Sequence, residues 1–310
     1  MTHVQALIDA VGLGAVYALI AVGIGLVFGV LRLINFAYGQ LIMIAAYALA
    51  FTDSWPDAGS ILLAVAAAVV ASLVMERVAF RPLRSADPST MLVATFAISF
   101  LLQNGALLQY TYRQKGGLGD PVGTLGTLNQ AVTLGSLHIR WVTFLAIGTG
   151  LVTLAALALL LNRTSIGLQM RAASLDFSTA RLLGIKANTV IVSAVAIAGA
   201  IAALAAVILS IQAPLVSQTT GLNETIVVLV GVVVGGIDRL VSATLGGFAI
   251  GFVTSFLGFE LPTLRTYSWL GWLPDVVYLP SVVYVLVIAV LLLRPEGLFA
   301  RSGRVAAERV

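Results

Sequence analysis

Between two long apolar runs the chain carries one polar insert, which reads Asn162-Arg-Thr-Ser-Ile-Gly-Leu-Gln-Met-Arg-Ala-Ala-Ser-Leu-Asp-Phe-Ser-Thr-Ala-Arg-Leu-Leu-Gly-Ile-Lys-Ala-Asn188. Thr164 or Ser165 can cap the start of a helix here, and Gly184 can end it in a left-handed conformation. Apolar or small residues recur every three or four positions and so share one side of that helix: Ile166, Met170, Ala173, Phe177, Ala180 and Gly184. The sequence therefore predicts an amphipathic helix held between two apolar segments.

An amphipathic helix of this kind can lie on a lipid surface or contact a partner protein. Helices that anchor to lipid usually present large apolar side chains and many lysines. The apolar side of this helix instead holds three small residues beside one Ile, one Met and one Phe, and no lysine. This composition favours docking onto a partner protein.

The composition of the whole chain places it in a membrane. Of its 310 residues, 60% are hydrophobic and 10% are charged, with a mean hydropathy of +1.05; soluble domains have about 25% charged residues. No Lys or Arg precedes the first apolar run, so this run is expected to be a retained span, not a secretory signal. The absence of cysteine excludes disulfides and thiolate metal sites.

Apolar runs of spanning length predict an all-α, polytopic helical membrane protein with eight or nine transmembrane helices. The count depends on whether residues 36–51 cross the membrane or fold back. The run at residues 41–51 is shorter than a span requires, so we expect a broken or re-entrant element there. The short segments on either side of Gly235 and Gly236 also resemble broken helices. The runs cover residues 7–30, 41–51, 60–78, 90–109, 141–161, 190–211, 225–234, 242–257 and 276–293.

The distribution of basic residues predicts the orientation. If residues 162–188 are cytoplasmic, the alternation of spans gives that side thirteen of the 17 Lys and Arg residues. The opposite side receives only Arg113, Lys115, Arg140 and Arg265. The positive-inside rule therefore favours a cytoplasmic insert and a cytoplasmic C-terminus.

Polar residues inside or beside the apolar runs are candidates for a translocation pathway. Asn35 and Gln40 interrupt an apolar region, and they either line the pathway or cap helices at the interface. Asn104 lies within a span, where an amide either packs against another helix or lines a polar path. Gly235 and Gly236 separate two short segments, which is typical of broken transporter helices.

Several motifs, in this order and spacing, resemble the membrane subunits of ATP-binding-cassette (ABC) importers for branched-chain amino acids. The insert matches the cytoplasmic loop of that family as Gly167-x-x-x-Arg171-Ala172-x-x-x-Asp176-x-x-x-Ala180-x-x-x-Gly184-Ile185. Further matching strings extend along nearly the whole chain: Tyr17-Ala18-Leu19, Gly29-Val-Leu-Arg-Leu-Ile-Asn-Phe-Ala-Tyr-Gly39, Arg81-Pro82-Leu83-Arg84, Gly235-Gly236, Leu245-Gly-Gly-Phe-Ala-Ile-Gly251 and Arg294-Pro-Glu-Gly-Leu-Phe299.

The resemblance implies one transmembrane permease domain over residues 1–310, with residues 162–188 as its cytoplasmic coupling loop in a bacterial inner membrane. It implies three kinds of partner besides membrane lipid: a homologous second permease, two ATP-binding subunits and a periplasmic solute-binding protein. Nucleic acid is not among them. The residues that it assigns to coupling with the ATPase are Gly167, Arg171, Ala172, Asp176, Ala180 and Gly184.

The chain has no Gly-x-x-x-x-Gly-Lys-Ser/Thr loop, so ATP must be bound by another subunit and no cofactor is expected in this chain. One alternative is an ion-coupled secondary transporter or channel for a small amide or urea-like solute. The lack of acidic or His residues in the middle of a span disfavours ion coupling. A membrane-embedded enzyme is disfavoured because no metal-ligand cluster or pair of convergent carboxylates is evident.

Overall fold

A computed structural model describes residues 3–32, 34–52, 55–84, 86–114, 128–134, 137–175, 177–213, 215–236, 239–265, 276–294 and 298. Apart from one β-hairpin, the regular elements in these ranges are helices, which confirms the all-α membrane fold. Six of the helices are long and apolar enough to cross a bilayer.

The helices are α1 (His3–Leu31), α2 (Tyr38–Phe51), α3 (Asp57–Met75), α4 (Pro88–Gln114), α5 (Trp141–Arg163), α6 (Ser165–Leu175), α7 (Phe177–Leu182), α8 (Ala187–Gln212), α9 (Leu222–Gly235), α10 (Leu240–Arg265) and α11 (Leu279–Leu293). A π-helical turn, Glu76–Phe80, extends α3, and a 3₁₀ turn, Val276–Tyr278, precedes α11. The strands are β1 (Ala131–Leu134) and β2 (Leu137–Arg140).

One end of the bundle carries α6 and α7, and we call it the loop face. Arg32, just after α1, donates from Nη2 to the carbonyl oxygen of Ser174 on α6 at 2.6 Å. Arg84, after α3, donates to Asn188 Oδ1 at the start of α8 at 3.2 Å. These bonds place the end of α1, the end of α3 and the start of α8 on the same face.

The opposite end carries β1 and β2, and we call it the hairpin face. The two strands pair antiparallel, with Ala131 opposite Arg140. Gln5 near the start of α1 holds this hairpin, because its Nε2 donates to His138 O at 2.8 Å and its Oε1 accepts from His138 N at 2.9 Å. Both strands lie between the apolar runs at residues 90–109 and 141–161, and the sequence did not indicate them, because four-residue strands are too short to show a recognisable alternation.

The structure contains an inverted repeat that we did not detect in the sequence. The starts of α1 and α8 (3 and 187) and of α2 and α9 (38 and 222) differ by 184 residues, and those of α3 and α10 (57 and 240) by 183. α1 packs against α10 as α8 packs against α3, and α1 and α8 also pack against each other. Because α1 ends on the loop face and α8 begins there, the two halves run in opposite directions.

Small residues let the helices approach closely at the centre of the bundle. A Cβ atom on Gly247 of α10 would lie 2.4 Å from the Ala21 Cβ atom of α1, and one on Gly251 would lie 2.9 Å from the Leu13 carbonyl oxygen. In the second half, a Cβ atom on Gly199 of α8 would lie 3.0 Å from the Ala68 carbonyl oxygen of α3. The hydrophobic effect does not drive helices together inside a bilayer, so close backbone packing of this type is what stabilises helix pairs there.

Candidate functional site

Two short helices begin inside the bundle and not at its ends. α2 and α9 have 14 residues each, which gives a length of about 21 Å against a hydrocarbon thickness of about 30 Å. Their first turns meet, since a Cβ atom on Gly39 would lie 2.6 Å from the carbonyl oxygen of Gly221. Gly221 has φ +82, a conformation that glycine adopts without strain. The predicted broken element is therefore confirmed, and it occurs once in each half of the repeat.

Gln40 lies next to this crossing and is completely buried, with 0% of its surface exposed. Its Nε2 donates to Ser99 Oγ of α4 at 3.0 Å, while its Oε1 has no hydrogen-bond partner within the described residues. Asn35 is also buried, but its Oδ1 accepts from the backbone N–H of Ala37 at 2.9 Å. Asn35 thus closes the turn that precedes α2, whereas Gln40 presents an acceptor inside the bundle that has no partner among the described residues.

A polar cavity of about 250 Å³ lies between α1, α8 and α9, towards the hairpin face. Glu224 is the third residue of α9, and its Oε2 is buried without a hydrogen-bond partner in the described part of the chain. Sequence reasoning did not select this residue, because it stands at the boundary of an apolar run. The lining combines acceptors and hydroxyls with a few aliphatic side chains: Leu13, Tyr17, Leu209, Gln212, Ala213, Leu215, Ser217, Thr219, Thr220, Asn223 and Glu224.

The polar insert is helical, as predicted, over Ser165–Leu175 (α6) and Phe177–Leu182 (α7). Thr164 is the predicted cap, and its Oγ1 accepts from the backbone N–H of Gly167 at 3.0 Å. The predicted stop is also confirmed, since Gly184 has φ +85. The N–H of Gly184 donates to Arg181 O at 3.1 Å and that of Ile185 to Ala180 O at 3.1 Å, which is a Schellman motif.

The apolar side of the insert packs on the chain's own helices. Met170 and Ala180 are 1% and 4% exposed, and α6 contacts α1, α5 and α8. The interpretation that this side contacts a partner is therefore wrong for Met170, Ala173 and Ala180, which are buried within the chain. The exposed large apolar residues of the insert among the described residues are Ile166, Leu168, Leu182 and Leu183, which are 40%, 61%, 89% and 77% exposed.

These features match a known family of membrane transport proteins. The model of that family, described as the permease component of branched-chain amino acid transport systems, matches residues 6–293. The chain belongs to this family. In the text below we call it the permease.

Curated relatives of the permease carry the same description. The high-affinity branched-chain amino acid transport system permease protein BraD of Pseudomonas aeruginosa is 30% identical over 96% of this chain and 96% of its own length. The high-affinity branched-chain amino acid transport system permease protein LivH of Escherichia coli K12 is 30% identical over 96% of this chain and 95% of its own length. A probable LivH of Methanocaldococcus jannaschii is 25% identical over 90% and 87%.

Among solved structures, a chain of PsaBC from Streptococcus pneumoniae in complex with Fab covers 93% of the permease and 89% of its own length. The sequence identity is 14% and the TM-score is 0.48. None of these comparisons supports an ion-coupled carrier or a channel.

The structure does not bring together all of the residues predicted to line the pathway of the permease. Asn104 is exposed on α4 and donates from Nδ2 to Phe100 O at 2.8 Å within its own helix. Gln40, by contrast, is buried at the crossing of α2 and α9. The two amides therefore lie in different environments.

Gly235 and Gly236 mark the end of α9 and not the break in the transmembrane helix. A Cβ atom on Gly235 would lie 2.2 Å from the carbonyl oxygen of Ser242 on α10, so this glycine allows close packing of two helices. Gly236 has φ 108 and forms the C-cap. The break itself precedes α9, at residues 215–221.

The predicted coupling residues have different roles in the fold. A Cβ atom on Gly167 would lie 2.1 Å from the Leu160 carbonyl oxygen, so Gly167 permits the sharp corner between α5 and α6. Arg171 is exposed, Ala172 is partly exposed and Ala180 is buried. Asp176 lies outside the described residues.

Proposed function

We propose that the permease translocates branched-chain or other hydrophobic amino acids across the bacterial inner membrane as one subunit of an ABC importer. This solute class is supported by the description of the family and by the names of the relatives, which specify branched-chain amino acid transport. ATP would be bound and hydrolysed by two separate subunits, since the chain has no nucleotide-binding loop. A periplasmic binding protein would deliver the solute, and a homologous second permease would complete the pathway.

The whole chain, residues 1–310, would act as one transmembrane domain, with residues 162–188 as the coupling loop. The loop face would be cytoplasmic, because most described Lys and Arg residues lie there. The C-terminus would follow on that side, where α11 ends. Residues Arg140 and Arg265 lie on the hairpin face. The basic residues at the loop face are Arg32, Arg77, Arg81, Arg84, Arg163, Arg171, Arg181, Lys186, Arg239 and Arg294.

The exposed side of the coupling loop is the observation that carries this proposal. Leu182 and Leu183 are 89% and 77% exposed at the end of α7, whereas Met170 of the same loop is buried. Exposed apolar groups next to charged ones mark protein contact sites. Arg171 is exposed on the neighbouring α6 and can donate to a carboxylate of the ATPase.

The buried side of the loop would transmit the movement of the ATPase to the spans. Met170 and Ala173 belong to the hydrophobic core of the bundle, and Arg32 ties the end of α1 to α6. A shift of α6 therefore displaces α1, α5 and α8, which it contacts. Because α1 and α8 hold both half-helices, the crossing at Gly39 and Gly221 would respond to nucleotide binding.

The test is co-purification of the ATPase with variants of the permease in mild detergent. We expect Leu182→Glu combined with Leu183→Glu to weaken ATPase binding by about thirtyfold, the loss typical of central contact residues. Val78→Glu is the matched control, since Val78 is 70% exposed near the loop face but lies outside α6 and α7. Equal recovery of the ATPase with both variants would refute docking at this site.

A further inference from the structure

The cavity at the first turn of α9 is lined by one carboxyl group, that of Glu224. Glu224 Oε2 is buried and has no hydrogen-bond partner among the described residues. A carboxylate in such a place is costly unless a cation or a donor satisfies it. A second acid, Asp9, lines a neighbouring cavity of about 170 Å³, but it already accepts from Gln5 Nε2 at 3.1 Å. Glu224 is therefore the acceptor available to a ligand.

The hydroxyl groups at the rim of the cavity form hydrogen bonds with one another. Ser217 Oγ lies 3.0 Å from Thr219 Oγ1 and 3.3 Å from Thr220 Oγ1, and the N–H of Ser217 donates to Thr220 Oγ1 at 2.9 Å. These bonds fix the turn that leads into α9. Glu224 thus stands on a preorganised wall, which lowers the cost of binding a ligand.

The other lining groups suit an amino acid. An ammonium group donates three hydrogen bonds, and Tyr17, Asn223 and Gln212 line the same cavity as Glu224 and carry oxygen acceptors. Leu13 and Leu209 add apolar surface for an aliphatic side chain. The volume of about 250 Å³ is below the range of sites for drug-sized ligands, which fits one small solute.

We propose that the Glu224 carboxylate binds the ammonium group of the transported amino acid in this cavity, on the hairpin-face side of the half-helix crossing. This inference rests on the proposed function, since it takes an amino acid as the solute. It adds a binding residue that the sequence patterns did not indicate.

The first test is leucine uptake by the reconstituted complex at a leucine concentration below saturation. Glu224→Gln keeps the shape of the side chain but removes the charge, and we expect uptake to fall by about tenfold to a hundredfold. Glu260→Gln is the control, because Glu260 lies on the hairpin face, binds His3 Nδ1 at 2.8 Å and does not line the cavity. We expect this variant to stay within about twofold of the unchanged complex. Equal uptake by both variants would overturn the proposal.

The second test uses the unchanged complex, so it does not depend on the folding of a variant. A hydrophobic carbodiimide modifies buried carboxyl groups, and mass spectrometry can follow its reaction with Glu224. We expect leucine to slow this reaction at least fivefold, whereas isocaproate, which lacks the amino group, should leave it unchanged. Protection by sodium ions but not by leucine would assign a metal cation to the carboxylate and overturn the proposal. No protection by either would also overturn it.

The two tests separate this inference from the proposed function. If the unchanged complex takes up leucine but Glu224→Gln does so equally well, the ammonium site is wrong and the importer stands. If the complex takes up no amino acid while leucine still protects Glu224, the site stands and the transport proposal fails.

Discussion

Gly246→Ala tests whether α9 is held by direct backbone contact with α10. A Cβ atom at Gly246 would lie 2.1 Å from the carbonyl oxygen of Gly231 and 2.6 Å from the Cα atom of Gly235. Ordinary contacts begin at 3.4 Å, so the two helices must separate by 3.4 minus 2.1, or about 1.3 Å. Overpacking of this kind costs about 1–3 kcal/mol. We expect the upper part of that range, because the atoms in the way are backbone and cannot rotate aside.

The assay is reversible unfolding in mixed micelles, with the free energy of unfolding obtained from a denaturant titration. Gly148→Ala on α5 is the control, since no atom lies within 4 Å of the new Cβ position. Removing a helix glycine there should stabilise the permease by up to about 1 kcal/mol. If Gly246→Ala and Gly148→Ala change the free energy equally, the account of the α9–α10 contact is refuted.

Three further predictions concern the loop face and the orientation. Arg84→Met should lower the free energy of unfolding by about 2 kcal/mol, because it leaves the buried carboxylate of Glu76 unpaired; adding Glu76→Gln should restore part of the loss in the same titration. Thr164→Ala removes a helix cap and should cost about 1 kcal/mol, and no loss would show that the cap is dispensable. The chain has no cysteine, so single cysteines at Lys186 and Gln130 report orientation cleanly. An impermeant maleimide should label only the Gln130 position in intact cells, and labelling of both would reverse the assignment.

The sequence was sufficient to predict the features that depend on composition and local patterns. Apolar runs identified the spans, and the shortness of residues 41–51 identified α2 as a broken element. The left-handed conformation of Gly184 followed from its position at the end of a helical pattern. Each of these properties depends on a few adjacent residues, so a single chain is enough to reveal it.

The features that depend on distant contacts could not be predicted. The inverted repeat is visible in the spacing and packing of the helices. It could not be predicted, because the two halves share no visible sequence pattern. Glu224 had no signal, because only the fold encloses it in a cavity between α1, α8 and α9. The apolar side of the coupling loop was assigned to a partner, since hydrophobic periodicity shows that a surface is buried but not what buries it.

The central claim is that the permease transports its solute only when a separate ATPase acts on its coupling loop. The most direct measurement is leucine uptake into proteoliposomes that contain the permease pair, its ATPase subunits and the binding protein. We predict accumulation only when ATP is supplied on the side of the loop face, and none by the permease alone under a sodium or proton gradient. Gradient-driven accumulation by the permease without the ATPase would contradict the account.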